Sequence, residues 1–310
     1  MGIDAVIAAG DGVAARKIFQ RNKALLEVGG KPIIRRIVET LRSCSLIDKV
    51  VVVGPAQDFA AALEGLDVRL VEQKRNMAEN ALAGFLATLP GGEDGQPSPE
   101  VIECYQDKAV LGLSGDIPLL TVAELEQFIA RCDMDSCDFA SGYTAESVLK
   151  RFGPRPGRPG IKMATMHTRH LNVRQNNLHV FRGFKMLKSI DLILKIYEYR
   201  YQKDPINVLK SLVTIVRQGP TALGQILGSY SLLQFSALCD NLGLHSLERL
   251  ASYPVTLEKL ERLGSELLGV RWRLIETDLG GAALDVDNEK DFLTLNFMFR
   301  EWSALLGQAG

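Results

Sequence analysis

Apolar and mixed stretches take turns along the first half of the chain. DAVIAA (4–9), KVVVVG (49–54), DVRLVEQ (67–73) and KAVLGLSGD (108–116) are short runs rich in branched aliphatics, the pattern of strands covered on both faces. Between them lie KPIIRRIVETLRSC, AQDFAAALEG and NMAENALAGFLATL. In the first of these, Ile33, Ile34, Ile37, Val38 and Leu41 recur at helical spacing. TVAELEQFIARC is a further helix, with Thr121 placed as its N-cap and Glu124 at the capping-box position. Strand and helix in alternation predict parallel strands joined by right-handed crossovers.

The rhythm then changes. Pro90 to Glu100 and GPRPGRPG (153–160) read as surface loops, because clustered Gly and Pro suit neither helix nor central strand. NNLHVFR (176–182) reads as another strand, and from Phe184 to Leu263 the pattern is almost wholly helical. VRWRLIET offers a late strand and NEKDFLTLNFMFREWSALL a closing helix. The expected architecture is α/β: a mostly parallel twisted sheet with helices on both faces, formed by residues 1–183 and 264–310, with a helical insertion over 184–263. No internal repeat is present.

An apolar fraction of 46% excludes disorder, and a formal net charge of −1 conceals an asymmetry. Arg151 to Arg217 holds fourteen Lys and Arg against Asp191, Glu198 and Asp204, which suggests an anionic partner. Gln218 to Cys239 carries no charge, and its glycines and glutamines argue against a spanning helix. Its apolar residues can pack on the sheet unit or on a second subunit, giving a homodimer, or rest on an anionic membrane; packing is the preferred reading. Five cysteines with no C-x-x-C pair point to reduced thiols and a cytoplasmic protein. Cys132, Cys137, His167 and His170 invite a zinc reading, but H-x-x-H is tighter than zinc fingers use. MGIDAVIAAGDG lacks the basic start of a signal peptide.

Ligands of open parallel sheets bind beyond the carboxyl ends of the strands, and three candidate segments fall there. After the first strand comes Gly10-Asp11-Gly12, then Arg16, Lys17, Arg21 and Lys23. Glycines there let a phosphate approach backbone amides, and the basic residues add charge; a strand-to-helix turn with solvated charges is the plainer alternative. LSGDIPLLT puts Asp116 at a strand end, expected exposed on a tight turn, as a metal or ribose ligand or as a cap. In LDVDNEKDF, Asp285 and Asp287 alternate along an extended segment and point to one side, although Asp287 or Asn288 can equally cap the last helix. Two carboxylates beside phosphates form an oxygen-rich site suited to Mg²⁺.

VIAAGDG…NKALLEVGGKPII, LSGDIPLLT and LDVDNEKDF resemble, in order and spacing, the signature segments of the MobA-like NTP transferases, the nucleotidyltransferases that include molybdopterin guanylyltransferase and the sugar-phosphate nucleotidyltransferases. EQKRNMAENALAGF is similar to their base-reading segment and RQNNLHVFR to their acceptor-side strand. The resemblance implies a Rossmann-like, GT-A type fold. It also implies Mg²⁺-dependent transfer of a nucleoside monophosphate from an NTP to a phosphorylated small molecule, a sugar phosphate or other small phosphate, with release of pyrophosphate and no nucleic-acid partner. By position, Ala8, Ala9, Gly10, Asp11, Gly12 and Arg16 line the nucleotide, Lys23 meets the transferred phosphate and Asp116 and Asp287 hold the metal. Gln73 and Asn80 fall in the base-reading region and Asn177 on the acceptor side.

Two departures stand out: Val13 and Ala14 follow the second glycine where the family has Thr-Arg or Ser-Arg, and Asn22 stands where many members carry Pro or Asp. A phosphate monoester is already an ionised nucleophile at neutral pH, so the lack of an obvious catalytic His is expected. The rivals are a nucleotide-binding scaffold without activity and a glycosyltransferase that uses Asp285-Val286-Asp287 as a D-x-D motif. An NAD-dependent dehydrogenase is disfavoured, since AAGDGVA lacks the third glycine of G-x-G-x-x-G.

Overall fold

The computed structural model describes residues 2–11, 17–92, 97–187 and 220–307. Gly12, Val13, Ala14 and Arg16, and the basic residues Lys188, Lys195, Lys203 and Lys210, lie outside the described residues.

The sheet is built as the alternation predicts. β1 (Ile3–Ala8) leads through the short hairpin of β2 (Glu27–Val28) and β3 (Lys31–Pro32) into α1 (Ile33–Ser43) and β4 (Ile47–Gly54). α2 (Ala56–Ala60), β5 (Arg69–Glu72), α3 (Met77–Ala87), α4 (Pro99–Tyr105), β6 (Ala109–Ser114) and α5 (Val122–Arg131) follow. Then come β7 (Phe139–Ala145), α6 (Glu146–Leu149), β8 (Met166–His167), β9 (Asn172–Arg182) and α7 (Gly183–Leu187). Among the described residues that follow are α8 (Pro220–Asn241), α9 (His245–Ser252), α10 (Leu257–Leu268), β10 (Trp272–Thr277) and α11 (Glu289–Leu305).

The strand order is β10-β7-β9-β6-β1-β4-β5, with β8 paired to β9. β9 runs antiparallel to both of its long neighbours, β6 and β7, while β1, β4, β5, β6, β7 and β10 share one direction. Alternate residues serve opposite faces. Ala5, Ile7, Val50, Val52, Leu111 and Leu113 meet α1, α5 and α11, whereas Val6, Val51, Val53 and Val110 meet Phe85 and Leu86 of α3. All five apolar positions of α1 are buried, as their spacing requires.

Local chemistry corrects two expectations. The stretch from Pro90 to Glu100 is not loop throughout: α4 starts at Pro99, whose missing N–H costs nothing at the first helical position, and Ser98 caps it, its Oγ accepting from Val101 N. AQDFAAALEG holds only the five-residue α2 before turning, with Gly65 at φ +80°.

Residue 263 falls inside α10, and that helix packs on β10. Leu263 is buried, and a Cβ on Gly264 would lie 1.9 Å from the Trp272 ring. α8 and α9 dock on β8 through His167, which is buried between Glu248 (3.1 Å) and Asp240 (4.0 Å). In α8, Cys239 turns inward, while Tyr230, Phe235 and Leu238 are exposed, as are Leu242, Leu244, Leu247 and Leu250 beyond it. Among the described residues, no helix is long and apolar enough to cross a membrane.

Candidate active site

Lys23 reaches the carboxyl ends of the parallel strands because of Asn22. The Asn22 side chain accepts a hydrogen bond from Ala24 N (2.9 Å), capping a single turn of 3₁₀ helix over Lys23–Leu25. It also donates to Ala9 O (2.9 Å), tying that turn to the end of β1. The Lys23 ammonium lies 3.0 Å from Asp116 Oδ2 and 3.5 Å from Asp287 Oδ1. Burial works against its charge, but Asp116, Asp287 and Asp285 together raise it above the ordinary lysine value, so it stays protonated.

Asp116 is not exposed on its turn as expected: only 16% of its side chain is accessible, since it points back over the strand ends rather than out. Ser114 Oγ donates to its other oxygen at 2.5 Å. Burial pushes the carboxyl upward, and Lys23 and Ser114 pull it back. Asp287 comes from the segment after β10, where Val286 is fully buried and donates its amide to Asp116 O (3.1 Å). The cap of α11 is Asn288, which accepts from Asp291 N, so the Asp287 carboxylate is left to face Lys23. Asp285 turns to Arg174 Nη2, 2.8 Å away. The two acids of the D-x-D triplet therefore hold different cations.

On the other side of β1, Gly10 gives way to two amides. A Cβ there would stand 2.7 Å from Asn80 Nδ2 and 3.0 Å from Gln73 Oε1. Gln73 accepts from Asp11 N (2.7 Å) and donates to the Asp11 carboxylate (2.6 Å), which, ahead of Lys17, holds that carboxyl below its usual value. Asn80 accepts from Lys74 N (2.6 Å). Ala8 O accepts from Gly115 N and Ala9 N donates to Val53 O, both at 2.9 Å, so this backbone is locked into the neighbouring strands.

Asn177 donates to Ala282 O (3.0 Å), on the loop that leads to Asp285. Its direction is set by a bulge: β9 runs from His179 to Gln175 while β7 advances only from Ser141 to Tyr143. The opposing Gly142 makes room, since a Cβ there would sit 2.1 Å from Asn176 Oδ1. Asn176 is thereby buried, bonded to Thr277 Oγ1 (2.9 Å) and Thr144 Oγ1 (3.3 Å).

The structure thus gathers Lys23, Asp116 and Asp287 at one point, with Gly10, Asp11, Gln73 and Asn80 on one side of it and Asn177 on the other. Ser114, Arg174, Asn176 and the long-range partners of Glu124, which are Thr277 at the end of β10 and the Gly280 and Ala282 amides after it, were not expected from the sequence. Only Asn176 left a signal, as half of an Asn-Asn pair inside an apolar strand. The cysteine–histidine group is dispersed in role. Cys132 is pushed up to about 12 by burial, Cys137 contacts Asp133 O and His167 belongs to the α9 contact.

A model of the MobA-like NTP transferase domain matches residues 5–172, and the chain belongs to that family. No curated protein matches its sequence. Among solved structures, a hypothetical transferase from Thermus thermophilus is 20% identical with a TM-score of 0.60, over 94% of this chain and all of that one. CMP:2-keto-3-deoxy-manno-octonic acid synthetase, in a complex with CTP, is 12% identical with a TM-score of 0.50, over 97% of this chain and 99% of that one. These likenesses show the fold. The protein is a nucleotidyltransferase, of the class that transfers a nucleotidyl group from an NTP to a phosphorylated acceptor with release of pyrophosphate.

The donors present fit a hard divalent ion. Among the described residues, no three His, Cys, Asp or Glu side chains gather to hold a metal. Two carboxylates, however, already converge on a single cation, the Lys23 ammonium. Two protein oxygens with substrate phosphates and water are what Mg²⁺ takes, whereas a dedicated cage would call for more.

Proposed function

We propose that the chain transfers a nucleoside monophosphate from an NTP to a small phosphorylated acceptor, a sugar phosphate or similar monoester, at the point where Lys23, Asp116 and Asp287 meet, with Asp116 and Asp287 holding Mg²⁺. The convergence of these three residues from three distant parts of the sequence carries this reading. Bound there, the ion would neutralise phosphate charge and orient the triphosphate.

The protein's own groups do the rest. Gly10 and the amide of Asp11 offer a surface close enough for the nucleotide. Gln73 and Asn80 present one carboxamide each beside it, and in the free protein Gln73 is occupied by Asp11, which a base edge would displace. Lys23 keeps its proton, so its full charge faces the α-phosphate as negative charge builds on the equatorial oxygens. Asn177 and Arg174 border the acceptor's side. The acceptor phosphate is ionised at neutral pH and attacks the α-phosphorus without a general base; pyrophosphate leaves in line.

Each of the four triphosphates, incubated with a pool of phosphorylated metabolites and assayed for pyrophosphate, tests this directly. One pair should release pyrophosphate in a Mg²⁺-dependent, EDTA-sensitive way. Metal-independent release, or free nucleoside diphosphate from a nucleotide-sugar, would overturn the reading.

A further inference from the structure

Glu124 is a carboxylate with no exposed surface, on the third residue of α5. As a capping-box residue it would reach back to its own helix. Instead it crosses to the far end of the chain: Oε1 accepts from Gly280 N (3.0 Å) and Thr277 Oγ1 (3.1 Å), and Oε2 from Ala282 N (2.9 Å). Burial pushes its carboxyl up while these donors hold the ion in place.

The pattern has a single direction. Because the Thr277 proton goes to Glu124, Thr144 must donate to Thr277 (3.0 Å), and Asn176 Nδ2 donates to both hydroxyls. Glu124, Thr277, Thr144 and Asn176 are all buried, so α5, β10, β7 and β9 are joined by one polar chain that ends on the carboxylate. The loop is shaped to receive it. Gly280 has φ +86°, and a Cβ on Gly281 would lie 2.1 Å from Leu119 O and 3.0 Å from Glu124 Oε2. From that loop, Ala282 O accepts from Asn177, Asp285 meets Arg174, and Asp287 meets Lys23.

We propose that Glu124 is a positioning residue that fixes Asp287 relative to Asp116. Asp116 and α5 belong to one stretch of chain, and Gly280 to Asp287 to another. The two are fastened twice, at Val286 N to Asp116 O and at Glu124 to the Gly280 and Ala282 amides. β9 also holds the loop, through Asn177 and Arg174, but of the two links to the Asp116 stretch Val286 alone would let the loop shift relative to Asp116; with Glu124 as well, the gap between the carboxylates is set. The inference rests on the reading that those two aspartates hold the metal.

Glu124→Gln is the discriminating variant. A carboxamide keeps the volume but has one acceptor, so either the Gly280 or the Ala282 N–H must face an NH₂, and a backbone amide cannot reverse. Mn²⁺ titration, followed by water-proton relaxation with and without each triphosphate, should show metal bound at least about tenfold more weakly, while the KM for the triphosphate stays within about twofold. Hydrogen exchange should quicken at residues 280–287. Unchanged Mn²⁺ affinity in a folded Glu124→Gln protein overturns the proposal. So does an equal fall in metal and triphosphate affinity, which would mean general loosening. If Glu124→Gln does not fold, Thr277→Val decides: it removes one donor to the same oxygen, and metal affinity should fall a few-fold if the proposal holds and not at all if it fails. A wild-type protein with no metal response would overturn the metal-site reading together with this inference, whereas a normal wild type beside an unaffected variant overturns only the inference.

Discussion

Lys23 and its two aspartates are coupled by charge, yet their stability and their chemistry separate. The Asp287 side chain is 54% exposed and that of Asp116 only 16%. Asp287→Ala should therefore leave the denaturation midpoint nearly unchanged while lowering turnover about a thousandfold, the loss expected for a charged metal ligand. Asp116→Ala should lower turnover similarly and also destabilise, because it strips a largely buried ammonium of its nearest partner. Lys23→Ala should reduce kcat more than it raises KM, since a charge aimed at the reacting phosphate matters most in the transition state. Steady-state kinetics beside chemical denaturation of the three variants checks all of these; an Asp287→Ala enzyme with normal turnover would remove Asp287 from the metal site. Asn22 shows what the sequence could and could not say here. It was visible as a departure from the family pattern, but its dual bond to Ala9 O and Ala24 N depends on β1 and the 3₁₀ turn being side by side.

At the scale of elements, what the sequence disclosed was periodicity. The apolar positions of α1 and the runs of β1, β4 and β6 are written in local spacing, and each is buried as that spacing demands. The reversed direction of β9 left no such trace, because side chains alternate with a period of two whichever way the neighbouring strands run. Glu124 was misleading for a related reason: its residue type satisfied a local rule, while its true partners lie 153 to 158 positions away. Two element-level predictions follow from contacts of that long-range kind. Gly142→Ala should push Asn176 out of its slot and cost about 1–3 kcal/mol in urea unfolding, the usual range for overpacking a filled site. A cost near zero would mean that the bulge accommodates a methyl group freely.

Asp138 gives the second. It joins the start of β7 to Arg271 before β10 and to Lys185 of α7, at 2.9 Å from each. Arg271, against some opposition from burial and with help from Lys185, holds the carboxyl far below its ordinary 3.8. A depressed carboxyl stabilises the fold above its unfolded value and loses that contribution as pH falls through the folded one. Wild-type stability should thus decline steadily below about pH 4, and Asp138→Asn should be less stable at pH 7 by about 2 kcal/mol, allowing for the exposure of both cations. The difference between the two proteins should shrink on acidification; a constant gap from pH 7 to pH 2 would exclude linkage through this carboxyl.

On the scale of the whole molecule, the family match ends at residue 172, yet the proposed site takes in Asp287 and the sheet ends with β10, both far beyond it. α11 is equally integral. Leu295, Met298 and Trp302 are buried, and Trp302 packs edge-on against Phe152 with ring centroids 5.5 Å apart. The expected insertion, residues 184–263, ends inside α10. α8 and α9 touch β8 through His167, while Arg169 beside it bonds to Tyr253 O and Val255 O after α9. α10 touches α8 through Arg262 and Gln225 (3.1 Å) and also lines the sheet edge, where Ser265 exchanges hydrogen bonds with the Trp272 backbone and Glu261 accepts from Leu274 N. Replacing residues 188–252 by a flexible linker should accordingly keep the fold and triphosphate binding, with some loss of stability at β8. Extending the excision to residue 263 removes the first half of α10 and uncovers the outer edge strand. That protein should lose several kcal/mol from the buried Leu263 alone, and it leaves Leu274 N of the edge strand without its Glu261 acceptor, so it should aggregate or unfold. Thermal unfolding and fluorescence titration of both shortened proteins distinguish the cases: equal behaviour would mean that α10 travels with the insertion, and a stable fold only for the shorter excision would assign α10 to the sheet.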